Sequence, residues 1–290
     1  MLECVINVSE GRDAALVDRL AEAGGPYVLD VHSDIDHNRS VLTMCGAPPD
    51  AGSALEEAVR AVATATVGLV DLRVHRGAHP RIGSLDVVPF IALARRPDGR
   101  LVDGPPDLSQ AARDRFARWA GTTLQLPCFL YGPERSLPEV RREAWRPLAP
   151  DQGPPVPHPT AGAAAVGARR LLVAYNLWLS EGSTLARARR VAASIRGPGL
   201  RTLGLQVGDR VQVSCNLVDP WTVGPEAAFD AVARRLEGAE AGIERAELVG
   251  LLPGGVLDAQ PRHRWAELGL DPAQTIEARL EQAGLDGGSF

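Results

Sequence analysis

The chain has 290 residues, 45% of them hydrophobic and 23% charged, with a formal net charge of −5. That balance belongs to a folded globular protein of about two domains, on a prior of roughly 150 residues each. It excludes a bulk nucleic-acid footprint, and no run approaches the roughly 18 apolar residues of a membrane helix.

All 31 basic residues are arginine. Without lysine there is no Schiff-base chemistry and no P-loop lysine. Anions must be met by arginine, histidine or backbone N–H groups. The start Met1-Leu2-Glu3-Cys4 carries no basic run and does not read as a signal peptide. Cys4, Cys45, Cys128 and Cys215 form no C-x-x-C and lie in or beside apolar runs, as reduced core thiols of a cytoplasmic protein do.

In chain order, the pattern predicts a strand over 3–7 and a polar turn, Asn7-Val8-Ser9-Glu10-Gly11-Arg12. A helix over 14–23 follows, with Leu16, Val17 and Leu20 on one face, stopped by Gly24-Gly25-Pro26. Strands over 27–31 and 40–45 flank the polar cluster His32-Ser33-Asp34-Ile35-Asp36-His37-Asn38-Arg39. A helix over 54–67 and a strand over 85–93 complete the order βαββαβ, the split βαβ or ferredoxin-like arrangement. A helix near 108–120 and a strand over 127–131 come next.

Residues 147–162 hold six prolines, which rule out a regular helix or a central strand. Composition favours a semi-rigid linker there over an ordered strap. The element order then repeats: a strand over 170–179, a helix over 184–196 and a hairpin of 203–207 and 211–217 about Gly208-Asp209. A helix over 225–236 and a strand over 246–252 close the unit, and a last helix over 272–283 starts at Asp271-Pro272. The fold class is therefore α/β (α+β), two consecutive ferredoxin-like βαββαβ subdomains, split at residues 1–168 and 169–290.

Chemistry concentrates between Val74 and Phe90, V-H-R-G-A-H-P-R-I-G-S-L-D-V-V-P-F. Pro80 holds His79 out of helical geometry, and Arg81 offers a planar fork for a carboxylate. An imidazole titrates near pH 6.5 and so can both give and take a proton. His75 and His79 are four apart, but Gly77 and Pro80 disfavour the helix that a two-histidine zinc site uses, so no metal is expected. The cluster from His32 to His37 reads as a metal site, a polar active-site wall or a turn bonding its own backbone. Asn38-Arg39 beyond it suits a carboxylate. The run Asn7, Ser9, Glu10 and Arg12 suits ligand contact through backbone amides, or a helix N-cap turn leading into Asp13. In the second half, Gln212, Ser214 and Asn216 alternate on one strand face, with Asn176 nearby. That polar face meets a partner or a ligand, or faces solvent. No G-x-S-x-G, Walker or dinucleotide fingerprint is present.

The stretch H-x-G-x-H-P-R-x-G-x-x-D-V-x-P-F resembles the signature of the glutamate formimidoyltransferase family, the formiminotransferase half of formimidoyltransferase-cyclodeaminase. The likeness extends to E-C-V-I-N-V-S-E-G-R, L-D-V-H-S-D-I-D-H-N-R-S-V, P-D-Q-G-P, V-G-A-R-R-L-L-V-A-Y-N, V-Q-V-S-C-N-L-V-D and E-L-V-G-L-L-P. It implies two α/β subdomains with a substrate cleft or tunnel between them, usually in a cytoplasmic homodimer. It also implies transfer of a formimidoyl group from N-formimidoyl-L-glutamate to N5 of tetrahydrofolate, a co-substrate, with no metal. The fused deaminase has no counterpart in this sequence, so transfer alone is expected.

Carried over by position, the catalytic proton carrier is His79. The folate-contacting strap is Gly153, Pro154, Pro155, Val156, Pro157, His158, Pro159, Thr160, Ala161 and Gly162, which replaces the passive linker. Asn7, Ser9, Glu10, Arg12, Asp34, Asn38, Arg39, Arg81, Asn176, Gln212 and Asn216 are the expected substrate and folate contacts. Three departures stand out. His32 occupies the place of an aspartate in vertebrate members, the segment between Glu139 and Trp145 is short, and the strap reads P-D-Q-G where P-D-F-G is usual. Two other readings share the scaffold: a transferase with a formyl donor, and a folate-binding protein without catalysis.

Overall fold

The computed structural model describes residues 1–46, 51–77, 79–237 and 241–285. The chain divides into two compact units. The first comprises Met1–Arg95 and Asp103–Arg170, with the described residues from Leu280 on; the second comprises Arg96–Val102 and Leu171–Arg279.

In the first unit, β1 (Leu2–Val8), α1 (Ala14–Gly24), β2 (Val28–Asp34), β3 (Arg39–Gly46), α2 (Ala51–Leu69) and β4 (Leu85–Arg95) follow the expected order. Asp13 caps α1, its carboxylate accepting from the Leu16 N–H at 3.0 Å. After the short β5 (Leu101–Asp103) come α3 (Pro106–Thr123), β6 (Cys128–Tyr131), α4 (Leu137–Glu143) and β7 (Ala164–Ala168). The sheet order is β2-β3-β1-β4-β7-β6. Its first four strands have the ferredoxin-like arrangement, and β7 and β6 extend it through parallel pairings. Alternation sends Leu2, Cys4, Ile6 and Val8 of β1 into one core with Leu55, Val59 and Val62 of α2 and Phe116 of α3. Phe90 and Phe116 meet there at a ring distance of 5.8 Å. A smaller core on the other face joins Val87, Phe129 and Tyr131 to Val140 of α4.

The second unit runs β8 (Val173–Leu179), α5 (Leu185–Ser194), β9 (Leu200–Val207), β10 (Arg210–Leu217), α6 (Pro225–Leu236), β11 (Ile243–Val249) and α7 (Gly254–Asp258); α8 (Ile276–Gln282) follows. Its sheet order, β11-β8-β10-β9, is again ferredoxin-like, all antiparallel. The β9–β10 turn pairs Val207 with Arg210 and holds Gly208 at φ 57°, as the hairpin reading requires.

β7 and α4 fall in stretches to which the residue pattern assigns no element. The strand expected over 170–179 begins only at Val173. The tail helix over 272–283 splits into a 3₁₀ turn, Pro272–Gln274, and α8, because Asp271 caps only that turn and Thr275 is extended. The proline-rich segment is not a loose linker. The Ser84 and Ala163 N–H groups donate to Ala161 O and Ile82 O, and Leu72 N–H donates to Thr160 O. Gly83 and Gly162 face each other in a backbone bridge.

Candidate active site

The site lies where three strands of the first sheet share an end. β1 leaves at Val8, β3 enters at Arg39 and β4 enters at Leu85. The β1–β4 register jumps there, with Asn7 opposite Val87 but Val8 opposite Leu85, so Asp86 is the bulged residue. A bulge re-aims a side chain, and this one turns Asp86 inward, where it is 0% exposed.

Three groups hold that carboxylate. Arg39 Nη1 donates at 2.7 Å, Arg141 Nη2 of α4 at 2.8 Å and the Ile82 N–H at 2.8 Å. Burial alone would raise the carboxyl's pKa. The two guanidiniums and the backbone donor outweigh it and hold Asp86 below the usual carboxylate range. Arg39 reaches on to Asn7 Oδ1, and Arg141 donates to Pro80 O. α4 is itself fixed by a reciprocal cap between Ser136 and Glu139.

His79 sits against this hub. Its Nδ1 is 2.7 Å from Pro80 O and 3.2 Å from Arg39 Nη1. A carbonyl only accepts, so Nδ1 carries the hydrogen. Arg39 therefore faces His79 as a charge rather than a donor, and Nε2 keeps its lone pair. Burial first, then Arg39 and Arg141, push the imidazole down to about 3. His79 is thus a neutral base throughout the physiological range. His37 meets it edge-on, with ring centroids 5.7 Å apart, and lies 3.7 Å from the Asp34 carboxylate.

The remaining expected residues build the loop. Arg81 donates to His75 Nδ1 at 2.6 Å, to Gly77 O at 2.8 Å and to His79 O at 2.6 Å. His75 then donates from Nε2 to Asn38 O at 3.0 Å, so both ring nitrogens serve the loop. Asn38, at φ 48°, accepts from the Gly11 N–H and donates to Arg76 O, both at 2.9 Å; asparagine tolerates that backbone. Glu10 Oε1 accepts from the N–H groups of Gly11, Arg12 and Asp13. Ser9 Oγ donates to Gly83 O, and Arg12 Nε to Ile35 O, both at 2.8 Å. Asp34 Oδ1 accepts from Asp36 and His37 N–H, the self-bonded turn of the open alternatives.

In the strap, Gly153 has φ 84° and Gly162 φ 71°. His158 exchanges backbone hydrogen bonds with Gly162 and accepts at Nδ1 from the Ala161 N–H at 3.1 Å. Ala161 is buried, Pro154, His158 and Thr160 are half-buried, and Pro155, Val156, Pro157 and Pro159 are exposed. Asn176, Gln212 and Asn216 belong to the second unit, where Asn176 Nδ2 donates to Glu247 Oε2 at 3.2 Å.

Asp86 and Arg141 are not among the site residues that the sequence leads one to expect. Asp86 stands inside the signature, which was its signal; Arg141 is 55 positions further on and had none.

A doubled ferredoxin-like fold with a neutral histidine seated on an Arg–Asp–Arg hub defines a candidate acid–base site in an α/β protein. The family model described as the formiminotransferase domain, N-terminal subdomain, matches residues 1–169. The chain is 32% identical to a glutamate formimidoyltransferase of Thermoplasma acidophilum across 98% of each chain, and 33% identical to one of Streptococcus pyogenes across 89% of this chain and 90% of that one. It is also 33% identical to the formimidoyltransferase-cyclodeaminase of Sus scrofa, across 89% of this chain but 51% of that relative's length. The chain belongs to the formiminotransferase family.

Proposed function

We propose that this protein transfers the formimidoyl group of N-formimidoyl-L-glutamate to N5 of tetrahydrofolate, releasing L-glutamate, with His79 moving the proton. The observation that carries the reading is the His79 imidazole held neutral, with Nδ1 anchored on Pro80 O and Nε2 free of that bond. N5 attacks the formimidoyl carbon and a tetrahedral adduct forms. Nε2 takes the N5 proton and returns it to the glutamate nitrogen as its bond to carbon breaks. The proton thus moves between two nitrogens on one carrier, and holding the reactants in register supplies much of the remaining acceleration.

Arg39, Arg81, Arg141 and Asp86 are read as the frame of this base. Asn7, Arg12, Asn38 and the exposed part of the strap are read as substrate contacts. The names of the relatives support the reaction class. Four free, buried cysteines fit a cytoplasmic enzyme, and among the described residues no helix is long and apolar enough to cross a membrane. A homodimer completes the proposal. The test is tetrahydrofolate-dependent release of glutamate from N-formimidoyl-glutamate by the purified chain. Release that proceeds equally without folate would overturn the reading.

A further inference from the structure

Two loops of the first unit bring a second imidazole against His79. The turn between β2 and β3 carries His37, and the loop before β4 carries His79. Their ring centroids are 5.7 Å apart, with the planes at 63°. Further contacts tie the two loops together. Asn38 Nδ2 donates to Arg76 O at 2.9 Å, and His75 Nε2 donates to Asn38 O at 3.0 Å. Gly77 passes so close to His37 O that a Cβ there would run into it. The two imidazoles meet opposite surroundings. Burial, Arg39 and Arg141 lower His79 to about 3. His37 meets a carboxylate instead. Asp34 Oδ2 lies 3.7 Å from its Nδ1, and Asp34 Oδ1 accepts from its N–H at 2.7 Å, which fixes the turn. A carboxylate favours an imidazolium, and guanidiniums oppose one. Titratable pairs set in opposed environments divide into an acid and a base.

We infer that His37 is a second catalytic group, the acid that protonates the departing glutamate nitrogen, with Asp34 as its positioning residue. This rests on the transferase reading above and extends its single carrier to a pair. His79 Nε2 takes the proton of N5 as the bond from N5 to carbon forms. As the bond from carbon to the glutamate nitrogen breaks, its electron pair stays on that nitrogen, which takes a proton from His37. The proton left on His79 then passes to His37, directly or through one water, and both rings return to their starting states. The net change is one proton moved from N5 to the glutamate nitrogen. Beside Arg39 and Arg141 a proton on His79 is poorly held, and His37 beside Asp34 gives it a more favourable place.

The experiment measures kcat and both KM values against pH for wild type, His37→Ala and Asp34→Asn in the full chain, with and without added imidazole. Asparagine keeps the acceptor that fixes the turn and removes only the charge. His37→Ala should lower kcat about 100-fold with both KM values little changed, and added imidazole should restore part of the loss. In Asp34→Asn the alkaline limb of kcat, where His37 loses its proton, should move to lower pH, because the carboxylate favouring the imidazolium has gone. The acid limb, set by His79, should stay. A wild-type kcat in His37→Ala overturns the assignment and leaves the transferase reading standing. A loss that imidazole does not restore marks His37 as packing for His79 and overturns it too. Should His37→Ala fail to fold, Asp34→Asn decides, and an unmoved alkaline limb there overturns the assignment. A wild-type chain that releases no glutamate with tetrahydrofolate refutes both the assignment and the reading beneath it.

Discussion

Replacing Asp86 by asparagine keeps the shape of the hub and removes its only carboxylate. In the native site that carboxylate is 0% exposed and accepts from Arg39 at 2.7 Å, from Arg141 at 2.8 Å and from the Ile82 N–H. The variant leaves two guanidiniums facing an amide that has one acceptor oxygen and a donor group pointing at donors. Breaking a buried ion pair on one side costs about 3–5 kcal/mol. With two cations orphaned here, a loss of about 4 kcal/mol is expected. At roughly 2–4 °C per kcal/mol for a unit of this size, melting should fall by about 8–16 °C.

The pH dependence follows from the sign of the shift. Asp86 titrates lower in the folded chain than in the unfolded one. Its contribution is complete above the unfolded carboxylate's pKa and is lost as pH falls through the folded value. Wild type should therefore lose stability relative to Asp86→Asn under acid, and the gap between them should close. Turnover should drop by about 100-fold through misplacement of His79. Urea unfolding at pH 7 and at pH 3 measures the stability gap, and the rate of glutamate release measures the turnover. A penalty under about 1 kcal/mol at pH 7, or one that does not shrink under acid, would refute the hub.

Three further outcomes are expected. Arg141→Gln removes a cation that depresses His79, so the acid limb of kcat/KM should move to higher pH; an unmoved limb would contradict the electrostatic account. Gly83→Ala would place its Cβ inside the Ala163 carbonyl and should cost about 3 kcal/mol, with faster proteolysis at Pro155–Pro157; wild-type resistance would show that the strap does not depend on this approach. Burial raises all four thiols, Cys128 and Cys215 to about 12. At pH 8 the native chain should resist a thiol reagent that labels the unfolded chain fully, and fast native labelling would count against the core placement.

Much of this architecture is legible in the residue pattern. The helical stripe of 225–236, the Gly208-Asp209 hairpin and the alternating apolar faces of β1 and β10 need no tertiary information. β7 is hard to read because A-A-V-G-A is a parallel strand of small residues with no alternation, and its place depends on β4 and β6 lying on either side. α4 is only seven residues long, though Ser136 and Glu139 form a readable cap. His79 is visible because proline, glycine and arginine crowd around it. The role of Asp86 is not, since it depends on a one-residue bulge. Arg39 and Arg81 read as ligand forks, yet the structure spends their donors on Asp86, Asn7, His75 and the loop carbonyls. A guanidinium that holds the frame looks the same in sequence as one that waits for a carboxylate.

The most direct test of the account is the single-turnover rate of glutamate release from N-formimidoyl-glutamate with saturating tetrahydrofolate, for wild type and His79→Ala. Folate-dependent turnover is expected in wild type and a fall of about 100- to 10,000-fold in the variant, with the fold intact by circular dichroism. A variant that releases glutamate at the wild-type rate would contradict the assignment of His79 as the proton carrier.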